Sequence, residues 1–328
     1  MTTGLPFDDY RRLIAGLPGP DEAAATAVRT RLEAAGAAAP LGRLGELGVW
    51  LAAWSSRKPV AIARPLMAVF AGNHGVAVHA VSRLPVTATA AMVEHCAAGG
   101  AAINQICLAN DVGLKVFDLA LDMPTADITL DAALDERGCA ATMAFGMEAV
   151  AGGTDLLCIG DLGVGGDTVA ATVLAALLGG TGADWIFPGL DEGLAARGVE
   201  VVDAALAFHR GHLGDPLEVM RRVGGREIAA ITGAILAARV EKTPVILDGW
   251  AALASAAVLH AMEPAAIDHC QFASPTREPA FRRALASLDK SPLLDLDMES
   301  EAGTAGALAV GLVRAAALCA SGVRSMTA

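Results

Sequence analysis

A glycine-rich segment carries residue types that suit a phosphate site. It runs from Gly160 to Thr168, follows an apolar run of strand length and precedes a helical pattern. Gly160, Gly163 and Gly165 allow the backbone to approach a ligand closely. A helix that starts near Thr168 offers unpaired N–H groups and a partial positive charge to a phosphate. The alternative is a strand-to-helix turn in which the glycines only permit tight packing.

Four side chains near predicted strand ends bear on this choice. Asp161 and Asp167 lie within the glycine-rich segment, and their carboxylates compete with phosphate for the same donors. Asn73 and His74 follow another apolar run, and a histidine in that position suits acid–base work near neutral pH. The alternative is an imidazole that hydrogen bonds to the backbone and only shapes the loop.

The other acidic and sulfur-bearing side chains do not suggest a metal. Asp297, Glu299 and Glu301 form the densest acidic cluster, just before the last helical pattern, where acids complement the dipole of a helix start. The cysteines lack the paired spacing of a zinc site, so we expect reduced core thiols, no metal and no cofactor. They are Cys96, Cys107, Cys139, Cys158, Cys270 and Cys319.

Composition argues against two classes of function. The 328 residues carry a formal net charge of −12, so no basic stripe is available for nucleic acid. Hydrophobic residues make up 54% of the chain, but no stretch of about 18 residues lacks charges or helix breakers, so we expect no membrane span. The first residues are charged and lack the apolar core of a signal peptide, so we expect none. We therefore expect a soluble cytoplasmic protein.

Short apolar runs alternate with helical patterns, which indicates an α/β fold with a parallel sheet covered on both faces. The predicted strands are Pro65–Ala71, Leu114–Asp118, Asp155–Gly160, Pro244–Asp248 and Asp268–Phe272. The predicted helices are Thr87–Asn110, Cys139–Val150, Thr168–Leu178, Arg226–Arg239 and Ala251–Ala261. We expect a large α/β domain over residues 63–289. Residues 1–62 and 290–328 are expected to form a small helical lobe. Ligands then bind beyond the carboxyl ends of the strands.

Several runs closely resemble the nicotinate-nucleotide–dimethylbenzimidazole phosphoribosyltransferase family of cobalamin biosynthesis, over nearly the whole chain. They are Leu41–Leu44, Val69–Val76, Ala98–Gln105, Val223–Ile228, Pro244–Gly249 and Leu293–Leu296. The resemblance implies a doubly wound, Rossmann-like sheet, a small helical lobe from both chain ends and a homodimer. It also implies a reaction in which an azole nitrogen displaces nicotinate from nicotinate mononucleotide, giving the α-riboside phosphate that becomes the lower ligand of cobalamin. In the family a carboxylate takes the azole proton and no metal is needed.

The resemblance fails at the residues that the family uses for chemistry. The family's general base is a glutamate in a G-E-G-T-G-A-A-L-A run, and ungapped alignment places Ala302 there, one residue after Glu301. The family's phosphate loop reads G-E-x-G-x-x-N-T-T, of which Thr168 and the glycines remain. A phosphate-binding lysine aligns with Gly198, beside which Arg197 is a stand-in.

The base side of the site also departs from the family pattern. A glutamine that touches the base aligns near Ala91, and a serine aligns with Pro40. The family's base-side histidine and serine become Ser274 and Thr276 in this chain, and Asn73 and His74 are expected in the same base pocket. The scaffold is therefore retained while the ligand-binding residues are substituted.

Two hypotheses follow from this pattern. In the first, the chain is a phosphoribosyltransferase for a nucleotide and an azole base, with Glu301 as the substitute base and Arg197 replacing the lysine. In the second, it is a catalytically inactive paralogue or subunit with a binding or regulatory role, which pairs with an active relative through the family's dimer surface.

Overall fold

The computed structural model describes residues 5–186, 191–299 and 302–325. Its centre is one sheet of parallel strands in the order β2-β1-β3-β4-β5. The strands are β1 (Pro65–Ala71), β2 (Gly113–Asp118), β3 (Leu156–Leu162), β4 (Val245–Leu247) and β5 (Cys270–Phe272). In the register of the central strands, Val69 pairs with Gly160 and Ile159 pairs with Leu247. The predicted α/β fold with a doubly wound parallel sheet is confirmed.

Helices connect the strands and cover the sheet. They are α1 (Pro6–Ala15), α2 (Glu22–Ala34), α3 (Ala38–Leu41), α4 (Arg43–Trp54), α5 (Ala88–Ala97), α6 (Ala102–Ala109), α7 (Glu136–Met147), α8 (Gly166–Leu178), α9 (Gly182–Trp185), α10 (Glu192–Phe208), α11 (Pro216–Val223), α12 (Arg226–Val240), α13 (Trp250–Met262), α14 (Pro279–Ser287) and α15 (Thr304–Gly322). Short 3-10 turns cover Gly75–His79, Glu148–Val150 and Pro264–Ile267.

The two faces of the sheet belong to two separate cores. Because successive side chains of a strand point to opposite faces, Phe70 and Ile159 enter the first core, against α12 and α13. Met67 and Cys158 enter the second core, against α15. The central strands are buried on both faces, which explains why they are continuous apolar runs.

The helices near the two chain ends pack on different faces of this helix-covered sheet. Helix α1 lies on α7, where the Phe7 N–H donates to Glu136 at 3.0 Å and the Tyr10 hydroxyl donates to the Ala140 carbonyl at 2.8 Å. Helices α2 and α4 pack instead with α15 in the second core. The division into residues 63–289 and a lobe of 1–62 with 290–328 stays a prediction.

Helix α15 is long and apolar enough, by length and composition, to cross a membrane. Half of its most apolar window is buried inside the protein. Val310 and Val313 are fully buried there, and the helix contacts α4, α6 and β3. This placement is typical of a core helix.

One predicted helix is divided in the structure. Thr87–Asn110 forms α5 and α6, which are separated by a turn at Gly99, with φ of 79°, and Gly100. A left-handed backbone at Gly99 ends α5 because a helix requires negative φ. Outside the predicted helical lobe, helices α9, α10, α11 and α14 had no counterpart among the predicted helices.

Candidate active site

The order of the strands reverses between β1 and β3, and a doubly wound sheet opens a crevice at such a point. The loops that follow these two strands touch there. The Gly72 N–H donates to the Leu162 carbonyl at 3.0 Å. A Cβ on Gly163 would lie 2.5 Å from the Gly72 carbonyl oxygen, so only glycine permits this approach. The two predicted ligand loops therefore share one crevice.

Helix α8 begins inside this crevice. Gly165 is its N-cap residue, with φ of 86°, a conformation that favours glycine. The N–H groups of Asp167 and Thr168 donate no hydrogen bond within the described ranges of the chain. The start of α8 thus offers free donors and the positive end of a helix dipole.

Carboxylates line the same helix start. Part of the surface of Asp161 and of Asp167 is exposed, while the surrounding protein removes much of the water from both carboxyl groups. Burial raises the pKa of Asp161 well above its ordinary value, and the charges of Asp167, Glu227 and Asp248 add to the rise. Burial also raises the pKa of Asp167, although His74 opposes the change. The crevice therefore disfavours additional negative charge.

Glu278, in the loop between β5 and α14, is a third acid at this place. Burial raises its pKa to about 7, and the Asp167 carboxylate contributes to the rise. A hydrogen bond from the Trp250 side chain opposes it. Glu278 therefore changes charge near neutral pH and belongs to the same electrostatic group as Asp161 and Asp167.

Below the crevice lie buried polar atoms without hydrogen-bond partners. His74 Nε2 is 3.4 Å from Glu227 Oε1, and each residue is only 1% exposed. Both ring nitrogens of His74, both carboxylate oxygens of Glu227 and Oδ1 of Asn73 have no hydrogen-bond partner in the described residues. Since buried polar groups are almost always paired, this is a place where a polar ligand or water is expected.

Asp248, at the end of β4, connects the sheet to the start of α15. Its Oδ2 accepts a hydrogen bond from the Gly306 N–H at 2.9 Å, and Ala305 donates a second backbone bond. Burial nevertheless raises the pKa of Asp248 to about 6. This acid holds a helix start and does not face the crevice, since it is 3% exposed.

The turn before α15 packs closely against β3. Ala302 has φ of 51° and Gly303 has φ of 81°, so both are left-handed. A Cβ on Gly160 would lie 2.5 Å from the Gly303 Cα, which leaves room only for glycine. This close approach brings Ala302 beside Leu162, at the carboxyl end of β3.

An apolar pocket of about 280 Å³ opens at this turn. Its lining residues are Leu84, Ala88, Ala91, Met92, His95, Cys96, Ala101, Ile103, Leu162, Ala302 and Thr304. No carboxylate is among them within the described part of the chain. Ala91, predicted to contact the azole, and Ala302, at the family's general-base position, therefore lie together in a pocket that suits a small apolar molecule.

His95 in this pocket was not predicted as a site residue. It lies four residues after Ala91 on α5, a spacing that places both on one helix face. Gly100 gives its ring space, since a Cβ there would be 2.4 Å from the imidazole. The i, i+4 spacing was the signal available in the sequence.

The remaining predicted residues lie outside the apolar pocket. Asn73 and His74 lie below the carboxylate crevice. In the loop after β5, Ser274 donates to the Pro275 carbonyl at 3.1 Å, and Thr276 accepts from the Glu278 N–H at 3.4 Å. The residues that were predicted to contact the azole therefore lie at two neighbouring places and not in one pocket. Glu301, the predicted substitute base, lies outside the described residues.

Arg197 forms a hydrogen bond with the backbone of another loop. Its Nε donates to the Ala80 carbonyl at 2.8 Å. The neighbouring Gly198 is buried against Ile186. A Cβ at position 198 would lie 3.3 Å from the Ile186 side chain, which is a tight contact. The role of Arg197 as a phosphate ligand stays a prediction.

A second cavity of about 450 Å³ lies among α2, α3 and α4. Arg29, Glu46 and Trp50 are part of its lining, and none of the predicted site residues lines it. In the described ranges, no group of three or more His, Cys, Asp or Glu side chains is placed to hold a metal ion.

The chain matches a family model described as phosphoribosyltransferase over residues 17–328. Relatives in Brucella melitensis biotype 1 and Brucella suis biovar 1, both named nicotinate-nucleotide–dimethylbenzimidazole phosphoribosyltransferase, are 58% identical over 324 residues, 98% of this chain and 96% of theirs. The crystal structure of the phosphoribosyltransferase of the same name from Thermus thermophilus matches with a TM-score of 0.80. That match has 33% identity and covers 96% of this chain and 95% of that chain.

These matches place the chain and its fold in the phosphoribosyltransferase class. The chain belongs to the nicotinate-nucleotide–dimethylbenzimidazole phosphoribosyltransferase family, as the six sequence segments predicted.

Proposed function

We propose that this protein binds an azole base in the apolar pocket and performs its family's transfer reaction at a much reduced rate. The names of the Brucella relatives supply the substrates, a nicotinate nucleotide and dimethylbenzimidazole. The products are then α-ribazole 5′-phosphate, for the lower ligand of cobalamin, and nicotinate. The single observation that carries the proposal is an apolar pocket that has Ala302 in its lining.

The reduced rate follows from the proton that the azole must lose. In the transfer, a bond forms between the azole nitrogen and the ribose C1′ while the bond from C1′ to nicotinate breaks. The azole proton then leaves to a base. Ala302 offers none, and among the lining residues the imidazole of His95 is the group suited to accept it. Loss of a well-placed general base typically costs about 10²–10⁴-fold in rate.

Nicotinate release from nicotinate mononucleotide and dimethylbenzimidazole tests this proposal in three proteins. The expected result is slow release by the wild type and a rise of about a hundredfold or more in Ala302→Glu. The matched control is Glu301→Gln, which is expected to leave the rate unchanged. Fast wild-type turnover that collapses in Glu301→Gln would overturn the proposal and place the base at Glu301.

The second candidate function is a non-catalytic paralogue or subunit. The carboxylates at the start of α8 favour it, since they disfavour a phosphate at the place where a nucleotide is expected. Azole binding without turnover, even in Ala302→Glu, would support this alternative. The homodimer and the cytoplasmic location stay predictions, and light scattering of the purified protein tests the first of them.

A further inference from the structure

We propose that Thr89 is a positioning residue for the transfer reaction, because its hydroxyl holds the glycine-rich segment against the helix that forms one wall of the apolar pocket. This inference rests on the proposed function and adds to it a residue that acts from behind the pocket wall. The Thr89 side chain is fully buried on α5. It is absent from the pocket lining in the described part of the chain.

One hydrogen bond joins α5 to the glycine-rich segment. The Val164 N–H donates to Thr89 Oγ1 at 3.2 Å, in a buried place, and the two residues are 75 positions apart in the chain. Val164 directly precedes Gly165, the N-cap residue of α8. A buried backbone N–H without an acceptor is costly. The Thr89 hydroxyl therefore supplies the acceptor that this part of the segment requires.

The bond of Thr89 differs from those of threonines in other helices. Thr142, Thr172 and Thr232 each donate to the carbonyl four residues earlier in their own helix, at 2.8 Å. Such a bond is a common pattern for a threonine within a helix. Thr89 instead accepts from a different element, and its branched Cβ restricts the rotation that would move the hydroxyl away. This contact therefore links two elements and is not a local feature of α5.

Both ends of this link belong to walls of the apolar pocket. On α5, Ala88 and Met92 line the pocket, one position before and three positions after Thr89. On the glycine-rich segment, Leu162 lines it, two positions before Val164. A movement of the segment away from α5 therefore changes the distance between two walls. Since a misplacement of about 1 Å can cost about a hundredfold in rate, such a movement affects the transfer although every lining residue is kept.

The glycine-rich segment is held by backbone contacts on another side. The Leu162 carbonyl accepts from the Gly72 N–H at 3.0 Å. A Cβ on Gly163 would lie 2.5 Å from the Gly72 carbonyl oxygen, so the two loops already touch there. The segment thus lies between the loop after β1 and helix α5. Because the first contact is made by the backbone alone, the Thr89 side chain determines how closely the segment approaches α5.

Titration of dimethylbenzimidazole into folded variants, well below their melting temperatures, tests the inference. Thr89→Val keeps the shape and removes the acceptor, and its dissociation constant for the azole is expected to rise at least about fivefold. Thr89→Ser keeps the hydroxyl and is expected to bind the azole as the wild type does. The matched control is Thr232→Val, the same change at a fully buried threonine that bonds within its own helix. This control is expected to leave azole affinity unchanged.

Thr89→Ala replaces Thr89→Val in this comparison if the latter does not fold, since it differs from Thr89→Ser by one oxygen atom. A merely structural role would lower the melting temperature and leave azole affinity equal to that of the wild type. That result overturns the inference while the proposed function stands.

Failure of the wild type to bind the azole refutes the proposed function instead, and hydrogen exchange of the Val164 amide then decides the inference. Faster exchange in Thr89→Val than in Thr232→Val supports the link between α5 and the glycine-rich segment. Equal exchange in the two variants overturns it.

Discussion

The carboxylate of Asp248 accepts the Gly306 N–H at 2.9 Å, and this contact joins the end of β4 to the first turn of α15. The two residues are 58 positions apart in the chain. Their contact fixes where α15 begins, and the preceding turn then lies against β3. The position of Ala302 in the apolar pocket is thus set by backbone contacts that do not involve its own side chain.

Replacement of Asp248 is expected to destabilise the fold. Asp248→Ala leaves the N–H groups of Ala305 and Gly306 unpaired in a buried place, so the free energy of unfolding should fall by about 1–3 kcal/mol. Asp248→Asn keeps an acceptor oxygen, so its free energy of unfolding should fall less. Urea denaturation measures the free energy of unfolding of both variants. Equal losses would show that the charge of Asp248, and not its hydrogen-bond acceptor, stabilises the fold.

A methyl group at Gly160 is expected to displace the turn that precedes α15. In Gly160→Ala the new Cβ would lie 2.5 Å from Gly303, so the backbone has to shift, at a cost of about 1–3 kcal/mol in unfolding free energy. Gly152→Ala is the matched control because a Cβ there meets no atom within 4 Å. Similar melting temperatures of the two variants would contradict this close approach of the turn to β3.

A larger side chain at Ala91 is expected to close the apolar pocket. Ala91→Leu should weaken dimethylbenzimidazole binding at least about tenfold while changing stability by no more than about 0.5 kcal/mol, since the residue is exposed on α5. Ala97→Leu places the same change on α5 outside the pocket lining. Fluorescence titration measures the affinity of both variants for the azole. Equal affinities would show that Ala91 does not line the azole site.

Crystals grown in phosphate or sulfate are expected to show no ion at the start of α8. The carboxylates of Asp161 and Asp167 oppose the partial positive charge of the helix. A well-ordered anion bonded to the Gly165–Thr168 amides would refute this expectation. The same soak of Asp161→Asn/Asp167→Asn is the comparison in which an ion is expected.

Stability is expected to fall as pH rises through the pKa of Glu278. That pKa is raised from 4.5 to about 7 in the folded protein, so the folded state holds a proton that the unfolded chain has already released. The stabilisation is present below about pH 4.5 and is lost as pH approaches 7. Glu278→Gln should therefore reduce the loss between about pH 5 and 8, as measured by urea denaturation. The same pH dependence in wild type and variant would contradict this assignment.

The strands of this protein could be predicted well because a strand that is buried on both faces is a continuous apolar run in the sequence. The run Pro65–Ala71 matches β1 at both ends, and the runs for β2 and β3 differ from the structure by one or two residues. The division of the Thr87–Asn110 pattern was missed although Gly99 and Gly100 were visible. Two adjacent glycines cost a helix interior about 2 kcal/mol relative to alanine, so the pair was a signal for a break that the sequence did offer.

The partners in the site could not be predicted, because they are distant in sequence. His74 meets Glu227, and Asp167 lies near Glu278, through the topology of the sheet and not through any spacing. Asp161 and Asp167 were predicted at the helix start because they lie within one local segment. Sequence periodicity therefore located the loops, and only the fold showed which acids share them.

The left-handed backbone at Ala302 has a consequence for how this protein can evolve. A residue with a Cβ at φ of 51° is disfavoured whether its side chain is a methyl group or a longer chain. Alanine therefore gains little backbone relief over glutamate. An exchange between these two side chains at position 302 changes the chemistry of the pocket lining and leaves the strain of the turn as it was.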